Sequence, residues 1–268
     1  MARGAGDGTV GKALEVLDQV AEFGRPVRFA ELLADSNFPK PTLYRLLQTL
    51  TSQGMLAFDP DRNTYSPGAR LMKFAHAAWS QSTLAQVASP HVQLLSEATG
   101  ETVHLAQLDS AQVLYLDKRN ARQPVEMYSQ AGKIGPAYCT GVGKAMIAFL
   151  PEDEAADVIG QQSFHVFTPT TLATADALQE ELVDIRANGY GFDREEHEPG
   201  IICVAMPILS ESGRVLGALS VTSTTQHTNL AGLEQQVPHL RKATNAIAQA
   251  AKRWSFPDHH SQKTTTGI

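Results

Sequence analysis

The segment PKPTLYRLLQTL, residues 39–50, decides the fold of the N-terminal part of this chain. Pro41 suits the first turn of a helix, because the backbone N–H groups there have no intrahelical partner. Gly54 is a typical residue just beyond the end of a helix. Four leucines recur at helical spacing and form one apolar stripe: Leu43, Leu46, Leu47 and Leu50. The segment therefore predicts an amphipathic helix that buries its leucines and exposes a polar face.

The flanking sequence places this helix third in a short series of elements. Residues 11–23 predict an amphipathic helix, and residues 29–33 predict a short second one before a turn at 35–37. Residues 55–58 and 63–66 read as two strands around a polar tip. Three short helices and a β-hairpin form a winged helix-turn-helix, whose third helix lies in the major groove of DNA. We therefore predict a DNA-binding domain over residues 1–68.

The polar face of the third helix and the tip of the hairpin carry groups that suit DNA. Arginine suits guanine or phosphate, and hydroxyl groups suit phosphate oxygens. A single exposed polar face can also be mere solvated surface, but here the helix series and the hairpin agree with DNA binding. The candidate DNA-binding residues are Lys40, Thr42, Tyr44, Arg45, Gln48 and Arg62.

The distribution of charge supports two parts with different roles. The whole chain of 268 residues has a net charge of −6, which by itself disfavours binding to DNA. Residues 1–70 carry equal numbers of basic and acidic side chains, so the whole excess lies in residues 71–268. No acidic residue occurs between Asp35 and Asp59, where Lys40 and Arg45 are found. The predicted reading helix therefore lies in an acid-free window.

The composition excludes several other classes of protein. Apolar residues make up 43% of the chain and charged residues 19%, as in globular proteins. The longest uncharged apolar run, residues 200–209, is far shorter than the ~20 residues of a membrane-spanning helix. The N-terminus has no apolar signal region, and two cysteines cannot make a disulfide framework. We expect a soluble, cytoplasmic protein without membrane association.

The C-terminal part predicts an α+β domain. Residues 69–98 read as linker helices that Pro90 should interrupt or kink. Residues 101–108 and 112–118 form a predicted hairpin, and residues 200–210 and 214–224 form another. Helices are predicted between them at 139–149, 151–159 and 174–188, and a last helix at about 230–254. Paired strands with intervening helices indicate an antiparallel sheet over residues 99–254, followed by a disordered tail at 255–268.

A glycine-containing stretch, residues 140–143, marks a candidate ligand site. Gly143 and Lys144 resemble the end of a Walker A loop, but Tyr138 and Ala145 replace residues that the motif needs. The stretch instead predicts backbone N–H groups at the start of a helix, which suit a carboxylate or another anion. The alternative is that the glycines only permit close packing of helix on sheet.

Strand alternation adds side chains to this site. Ser220 and Thr222 share one face of a strand, and Ile201, Cys203 and Ala205 share one face of another. Two hydroxyl groups on an otherwise apolar face either bind neighbouring backbone or meet a ligand. Met127 and Tyr128, taken to lie on a preceding strand, are candidate apolar walls. An apolar cavity with a few converging polar groups suits a small organic acid.

The chain resembles the IclR family of bacterial transcriptional regulators over about residues 9–254. The resemblance rests on VGKALEVL at 10–17, TLYRLLQTL at 42–50, YCTGVGKA at 138–145, GYGFDREEH at 189–197 and GALSVT at 217–222. It implies a GAF-like effector-binding domain and binding to palindromic operators as a dimer or a dimer of dimers, more often as a repressor. The family typically has a small residue, often serine, at the position of Pro41, so a base preference cannot be carried over.

The resemblance also implies the residues of the effector site. They are the backbone at Gly141 and Val142, with the side chains of Asp193, Ile201, Cys203, Ser220 and Thr222; Met127 and Tyr128 complete the candidate effector-binding set. No cofactor is indicated.

Two alternatives use the same region with the winged helix as a protein-interaction module. His104, Cys139, Asp193, His197 and Cys203 include good metal ligands, although their spacing in the sequence matches no metal motif. Cys139 could instead be a nucleophile with His104 or His197 as base, and a position near a helix N-terminus would lower its pKa. A buried, unreactive cysteine is the commoner case.

Overall fold

The computed structural model describes residues 8–81, 83–122, 125 and 127–252. It divides into two compact units, Met1–Gln81 and Ser82–Ile268. The boundary falls within the stretch 69–98 that was predicted as linker helices. The predicted tail at 255–268 and the end of the last predicted helix lie outside the described residues. No helix among the described residues is long and apolar enough to cross a membrane.

The N-terminal unit is a winged helix-turn-helix. Its elements in order are α1 (Gly8–Glu22), β1 (Val27–Arg28), α2 (Phe29–Ala34), α3 (Lys40–Ser52), β2 (Leu56–Asp59), β3 (Thr64–Pro67) and α4 (Ala69–Gln81). The predicted wing is confirmed as β2 and β3, which pair antiparallel. β1 was not predicted; it adds two residues to the outer side of β3.

The leucine stripe holds this unit together. All four leucines of α3 are buried, and they pack with Val16, Leu17 and Val20 of α1 and with Leu32 of α2. Leu56 and Tyr65 close the same core from the wing. Each fully buried leucine side chain contributes about 1.5–3 kcal/mol of hydrophobic stabilisation. The packing that the spacing predicted therefore fixes which face of α3 remains outside.

The C-terminal unit contains helices and one antiparallel sheet, which confirms the α+β prediction. The order is α5 (Thr83–Thr99), β4 (Thr102–Asp109), β5 (Gln112–Arg119), β6 (Ile134–Pro136), α6 (Gly141–Ile147), α7 (Glu152–Gly160), α8 (Ala175–Asn188), β7 (Gly191–Arg194), β8 (Ile201–Leu209), β9 (Val215–Thr224), α9 (Leu230–Glu234) and α10 (Val237–Ala251). The six strands lie in the order β6-β5-β4-β9-β8-β7, and every neighbouring pair is antiparallel.

Two apolar cores cover the two faces of this sheet. On one face, α6, α7 and α8 pack against small or polar strand residues such as Ala106, Cys203 and Ala205. On the other face, α5, α9 and α10 pack against larger residues such as Leu105, Val204 and Val221. The face under α6 therefore has room and polarity that the opposite face lacks.

Several element predictions differ from the structure. Pro90 lies inside α5 and does not end it, because buried Ala88 and Val92 on either side anchor the helix to the sheet. The last predicted helix is two helices, since Pro238 occupies the first turn of a new one, α10. The short edge strands β6 and β7 were not predicted.

Helix α6 begins at Gly141, two residues later than predicted, and its approach to the sheet requires glycine. A Cβ atom at Gly141 would overlap Sγ of Cys203 and lie 3.2 Å from Cβ of Ala205. A Cβ at Gly143 would overlap the carbonyl oxygen of Ala137 and lie 2.6 Å from its Cα. The close-packing alternative for this glycine stretch is thus a real part of its role.

We expect Gly143→Ala to destabilise the protein by roughly 1–3 kcal/mol, because the backbone of Ala137 must move to admit a methyl group. Gly160→Ala is the matched control: Gly160 ends α7 and has no atom within 4 Å of its hypothetical Cβ. That control should be neutral or stabilising by up to ~1 kcal/mol. Thermal unfolding measures both. Equal melting temperatures for the two variants would show that α6 does not need its close approach.

Candidate functional site

The exposed face of α3 borders an open groove that ends at the wing. Lys40, Tyr44 and Gln48 line this groove together with Phe58 and Asn63 of the wing region. The Tyr44 hydroxyl accepts a hydrogen bond from Nε2 of Gln48 at 2.8 Å. The Tyr44 ring meets Phe29 edge-on, with 6.1 Å between ring centroids. Contacts within the N-terminal unit therefore hold part of the predicted polar face in place.

The remaining candidates lie around this groove. Arg45 is exposed on α3, and Thr42 is half-buried. Among the described residues no carboxylate pairs with Arg45 or Lys40. Arg62 is exposed at the tip of the wing, with Nε 3.9 Å from a carboxylate oxygen of Asp59. Five of the six candidates thus belong to one helix, and the sixth belongs to the wing of the same unit.

Strand register gathers polar side chains on the sheet face under α6. Asp193 pairs with Cys203, Cys203 with Thr222, and Thr222 with Thr102, which forms one row across four strands. The next row includes Ser220 opposite His104. Because paired residues point to the same side of a sheet, these groups converge at one place.

Buried His104 organises these hydroxyl groups. Its Nδ1 lies 3.3 Å from Oγ of Ser220 and 3.2 Å from Oγ1 of Thr222. Its Nε2 lies 2.8 Å from Oγ of Ser129. Burial, with a smaller contribution from Lys118, lowers the pKa of His104 to about 3. The imidazole is therefore neutral, and it can donate at one nitrogen and accept at the other.

These groups enclose a cavity of about 30 Å³, here called the sheet cavity. A cavity needs about 10–15 Å³ to hold one water molecule, so this space is closed to an organic ligand as it stands. Eight of the nine candidate effector residues line it. They are Tyr128, Gly141, Val142, Asp193, Ile201, Cys203, Ser220 and Thr222.

The placement of Met127 and Tyr128 on a strand was wrong. Both lie in the loop between β5 and β6, where the Tyr128 N–H donates to the Glu198 carboxylate at 3.0 and 3.1 Å instead of to a neighbouring strand. Met127 does not line the sheet cavity. It lies in a cleft of about 540 Å³ beside Arg122, and Thr222 borders both spaces.

Sequence reasoning missed several cavity residues. These are Tyr115, Ser129 and Glu198, together with His104 and His197, which were considered only as metal ligands or bases. Thr140 also lines the cavity; it lies in the stretch 140–143 that was marked as a candidate ligand site. The alternation of β4 was a usable signal, because it places Thr102 and His104 on one face. The pairing of that face with Ser220 and Thr222 could not be read from the sequence.

Asp193 is the most perturbed carboxyl group of the cavity. Its side chain is buried, and Oδ1 accepts the N–H of Glu196 at 2.8 Å. Burial, followed by repulsion from Glu196, raises its pKa to about 7. The hydrogen bond from Glu196 and the charges of Lys144 and His197 oppose this rise but do not cancel it.

The two enzyme-type alternatives fail on geometry. Cys139 is fully buried, and burial together with Asp193 and Glu196 raises the pKa of its thiol, which contradicts the alternative of an activated thiolate and agrees with a buried, unreactive cysteine. Within the described ranges, no three His, Cys, Asp or Glu side chains lie close enough to hold a metal ion.

A winged helix-turn-helix in one unit and an α+β fold with a polar internal cavity in the other are typical of the class of DNA-binding transcriptional regulators. Two family models agree: "IclR helix-turn-helix domain" matches residues 9–60, and "Bacterial transcriptional regulator IclR C-terminal" matches residues 76–249. The chain belongs to the IclR family of bacterial transcriptional regulators. It is a regulator and not an enzyme.

Known proteins resemble it along most of its length. The HTH-type transcriptional regulator XynR of Escherichia coli is 32% identical over 90% of this chain and 96% of its own. The acetate operon repressor of Salmonella typhimurium is 30% identical over 79% of this chain and 78% of its own. An IclR homologue from Microbacterium hydrocarbonoxydans, solved with 4-hydroxybenzoate, has a TM-score of 0.75 at 23% identity, covering 90% and 99% of the two chains.

The raised pKa of Asp193 makes stability depend on pH with a defined sign. The folded pKa lies above the unfolded value of about 3.9, so the protonated form of Asp193 favours the folded state. Its contribution to the free energy of unfolding is complete below the unfolded pKa and is lost as the pH rises through about 7. Asp193→Asn removes the titration. Its stability relative to wild type should therefore increase from pH 5 to pH 8, by about 1 kcal/mol or more.

Denaturant unfolding at several pH values measures this difference. Asp184→Asn, an exposed change of the same kind on α8, should show no such trend. A constant difference between Asp193→Asn and wild type at every pH would contradict the assignment of a buried, protonated carboxyl group.

Proposed function

We propose that this regulator is a cytoplasmic repressor that binds a palindromic operator as a dimer or a dimer of dimers, and that a small organic acid bound in the sheet cavity switches it. The observation that carries the proposed effector site is the convergence of Asp193, Ser220 and Thr222 beneath the start of α6. The resemblance to the acetate operon repressor supports repression.

The DNA half of the proposal rests on the outer face of α3. Lys40, Tyr44, Arg45 and Gln48 are exposed together on this helix, whose other face is fixed in the core by four leucines. Lys40 and Arg45 would position the helix on phosphates or on guanine, and Thr42, Tyr44 and Gln48 would add hydroxyl and amide contacts. Arg62 at the wing tip would reach the flanking backbone.

The effector half rests on the chemistry of the sheet cavity. Hydroxyl groups of Ser220 and Thr222, the carboxyl group of Asp193 and the neutral ring of His104 offer both hydrogen-bond donors and acceptors. Val142, Ile201 and Cys203 add apolar walls, which suits a small carboxylate or hydroxy acid. The Microbacterium complex with 4-hydroxybenzoate illustrates that this fold can hold a molecule of that class.

The small size of the cavity provides the switch. An organic acid cannot enter about 30 Å³ without moving a wall, so binding favours a different arrangement of the C-terminal unit. A ligand shifts a conformational equilibrium only by its difference in affinity for the two states. Coupling of this kind is typically worth about 1–3 kcal/mol. The same free energy would change the affinity for the operator.

We expect Arg45→Ala to weaken binding to the DNA upstream of the protein's own gene by about 1–3 kcal/mol, because a phosphate or guanine contact is lost. The slope of affinity against salt should also become shallower if the contact is to phosphate. Arg241→Ala, on α10 of the other unit, makes the same change of charge and serves as control. An unchanged gel shift for Arg45→Ala would remove this residue from the interface.

The variants Asp193→Ala and Ser220→Ala should abolish the response to effector and leave operator binding intact. The measurement is a thermal-shift screen of small carboxylates, hydroxy acids, lactones and aromatic acids, followed by operator binding with each hit. Asp184→Ala is the exposed control. A double variant that still responds fully would refute the sheet cavity as the effector site.

A further inference from the structure

The sheet cavity has an unusual balance of charge for a site that accepts an organic acid. Its lining residues include two carboxyl groups, Asp193 and Glu198, and two imidazoles, His104 and His197. No lysine or arginine occurs among the described residues that line it. A carboxylate effector would therefore enter beside two acidic groups without a dedicated counter-ion.

The nearest buried cation is already neutralised by other groups. Lys144 of α6 is fully buried and ion-pairs with Glu196 and with Oε1 of Glu181, the latter at 3.2 Å. Arg194 pairs with the same oxygen of Glu181 at 2.7 Å. Two cations and two carboxylates thus balance one another beside the cavity, and Asp193 remains outside this cluster.

Glu198 is also engaged. Its carboxylate accepts the N–H of Tyr128 through both oxygens and lies 3.8 Å from Nδ1 of His197. The pKa of Glu198 is lowered despite its partial burial, with His197 and the N–H of Tyr128 as the leading favourable contacts. Glu198 therefore remains ionised and serves to hold the loop.

Asp193 differs in geometry. Only Oδ1 has a hydrogen-bond partner among the described residues, the N–H of Glu196, so the second oxygen is available to a ligand. Titratable or charged groups face this side chain from every neighbouring element: Glu196 and His197 from the following turn, Lys144 from α6, Cys139 before α6, Cys203 from β8, His104 from β4 and Tyr115 from β5. Lys144 and His197 favour ionisation, and burial outweighs them.

We propose that Asp193 retains its proton and donates a hydrogen bond from its carboxyl group to the carboxylate of the effector, so that each organic acid binds together with one proton. This inference rests on the proposed function of the sheet cavity. No covalent bond forms or breaks apart from the O–H bond of Asp193, whose proton comes from solvent whenever Asp193 was ionised before binding. The site then discriminates in favour of carboxylates without any fixed positive charge.

Proton retention by Asp193 makes the affinity for a carboxylate depend on pH. With the pKa of Asp193 at about 7, the protonated fraction falls about tenfold between pH 6 and pH 8, while a typical carboxylic acid ligand stays ionised. The affinity for a carboxylate should fall by the same factor over this range. Asp193→Asn can still donate a hydrogen bond but cannot titrate, so its affinity should be constant and should exceed that of wild type at pH 8.

The first test needs no ligand. Carboxyl carbon NMR of the full chain with labelled aspartate, in wild type and Asp193→Asn, identifies the Asp193 signal by its absence from the variant. A titration midpoint near 7 is expected. A midpoint in the ordinary aspartate range, about 4, would overturn the inference.

The second test measures binding of acetate, lactate, benzoate and 4-hydroxybenzoate by calorimetry at pH 6, 7 and 8. The expected result is a pH-dependent affinity in wild type and in the control Asp184→Asn, constant affinity in Asp193→Asn, and no pH dependence for 4-hydroxybenzamide if it binds. Equal wild-type affinity at pH 6 and pH 8 overturns the inference and leaves the proposed function standing. Binding of none of the four acids at any pH contradicts both the organic-acid effector and the inference.

Discussion

The ion pair between buried Lys144 and Glu196 is the interaction on which the rest of the C-terminal unit depends. It joins α6 to the turn after β7, and Glu181 of α8 shares the same ammonium group. Removing one partner of a buried pair typically costs about 3–5 kcal/mol, because the other charge remains uncompensated. The pair holds the N–H of Glu196 against Asp193, and it fixes α6 over the sheet. Together with the strand register and the close approach of α6 at Gly141, the ion pair sets the geometry of the sheet cavity.

Neutralisation of Lys144 also explains why the cavity receives no positive charge from α6. Because the ammonium group is bound to Glu196 and Glu181, the cavity beside it contains hydroxyl groups, a neutral imidazole and a carboxyl group that resists ionisation. The ionised Glu198 at its edge is bound to the N–H of Tyr128. These groups favour a ligand that can both donate and accept hydrogen bonds. A cavity of about 30 Å³ can admit an organic molecule only by changing shape, and the proposed effector site would couple binding to conformation in this way.

The sequence predicted those features that depend on local periodicity. The leucine spacing of α3 identified the buried face, and strand alternation placed Ser220 with Thr222 on one side of β9. It could not supply the partners: His104 meets these hydroxyl groups through strand pairing across more than a hundred residues, and Ser129 approaches from a loop. Met127 was placed wrongly on a strand, since apolar character alone cannot distinguish a strand from a loop. The overall charge was a poor guide to DNA binding, whereas its distribution along the chain was a good one.

The most direct test of the account is equilibrium binding of the full-length protein to the DNA upstream of its own gene, measured by fluorescence anisotropy over a series of salt concentrations. Each series is repeated with a small organic acid that raises the melting temperature of the protein. The account predicts tight binding that weakens steeply as salt increases and that changes when the acid is present. Equal affinity for this fragment and for unrelated DNA, unaffected by any acid that the protein binds, would contradict it.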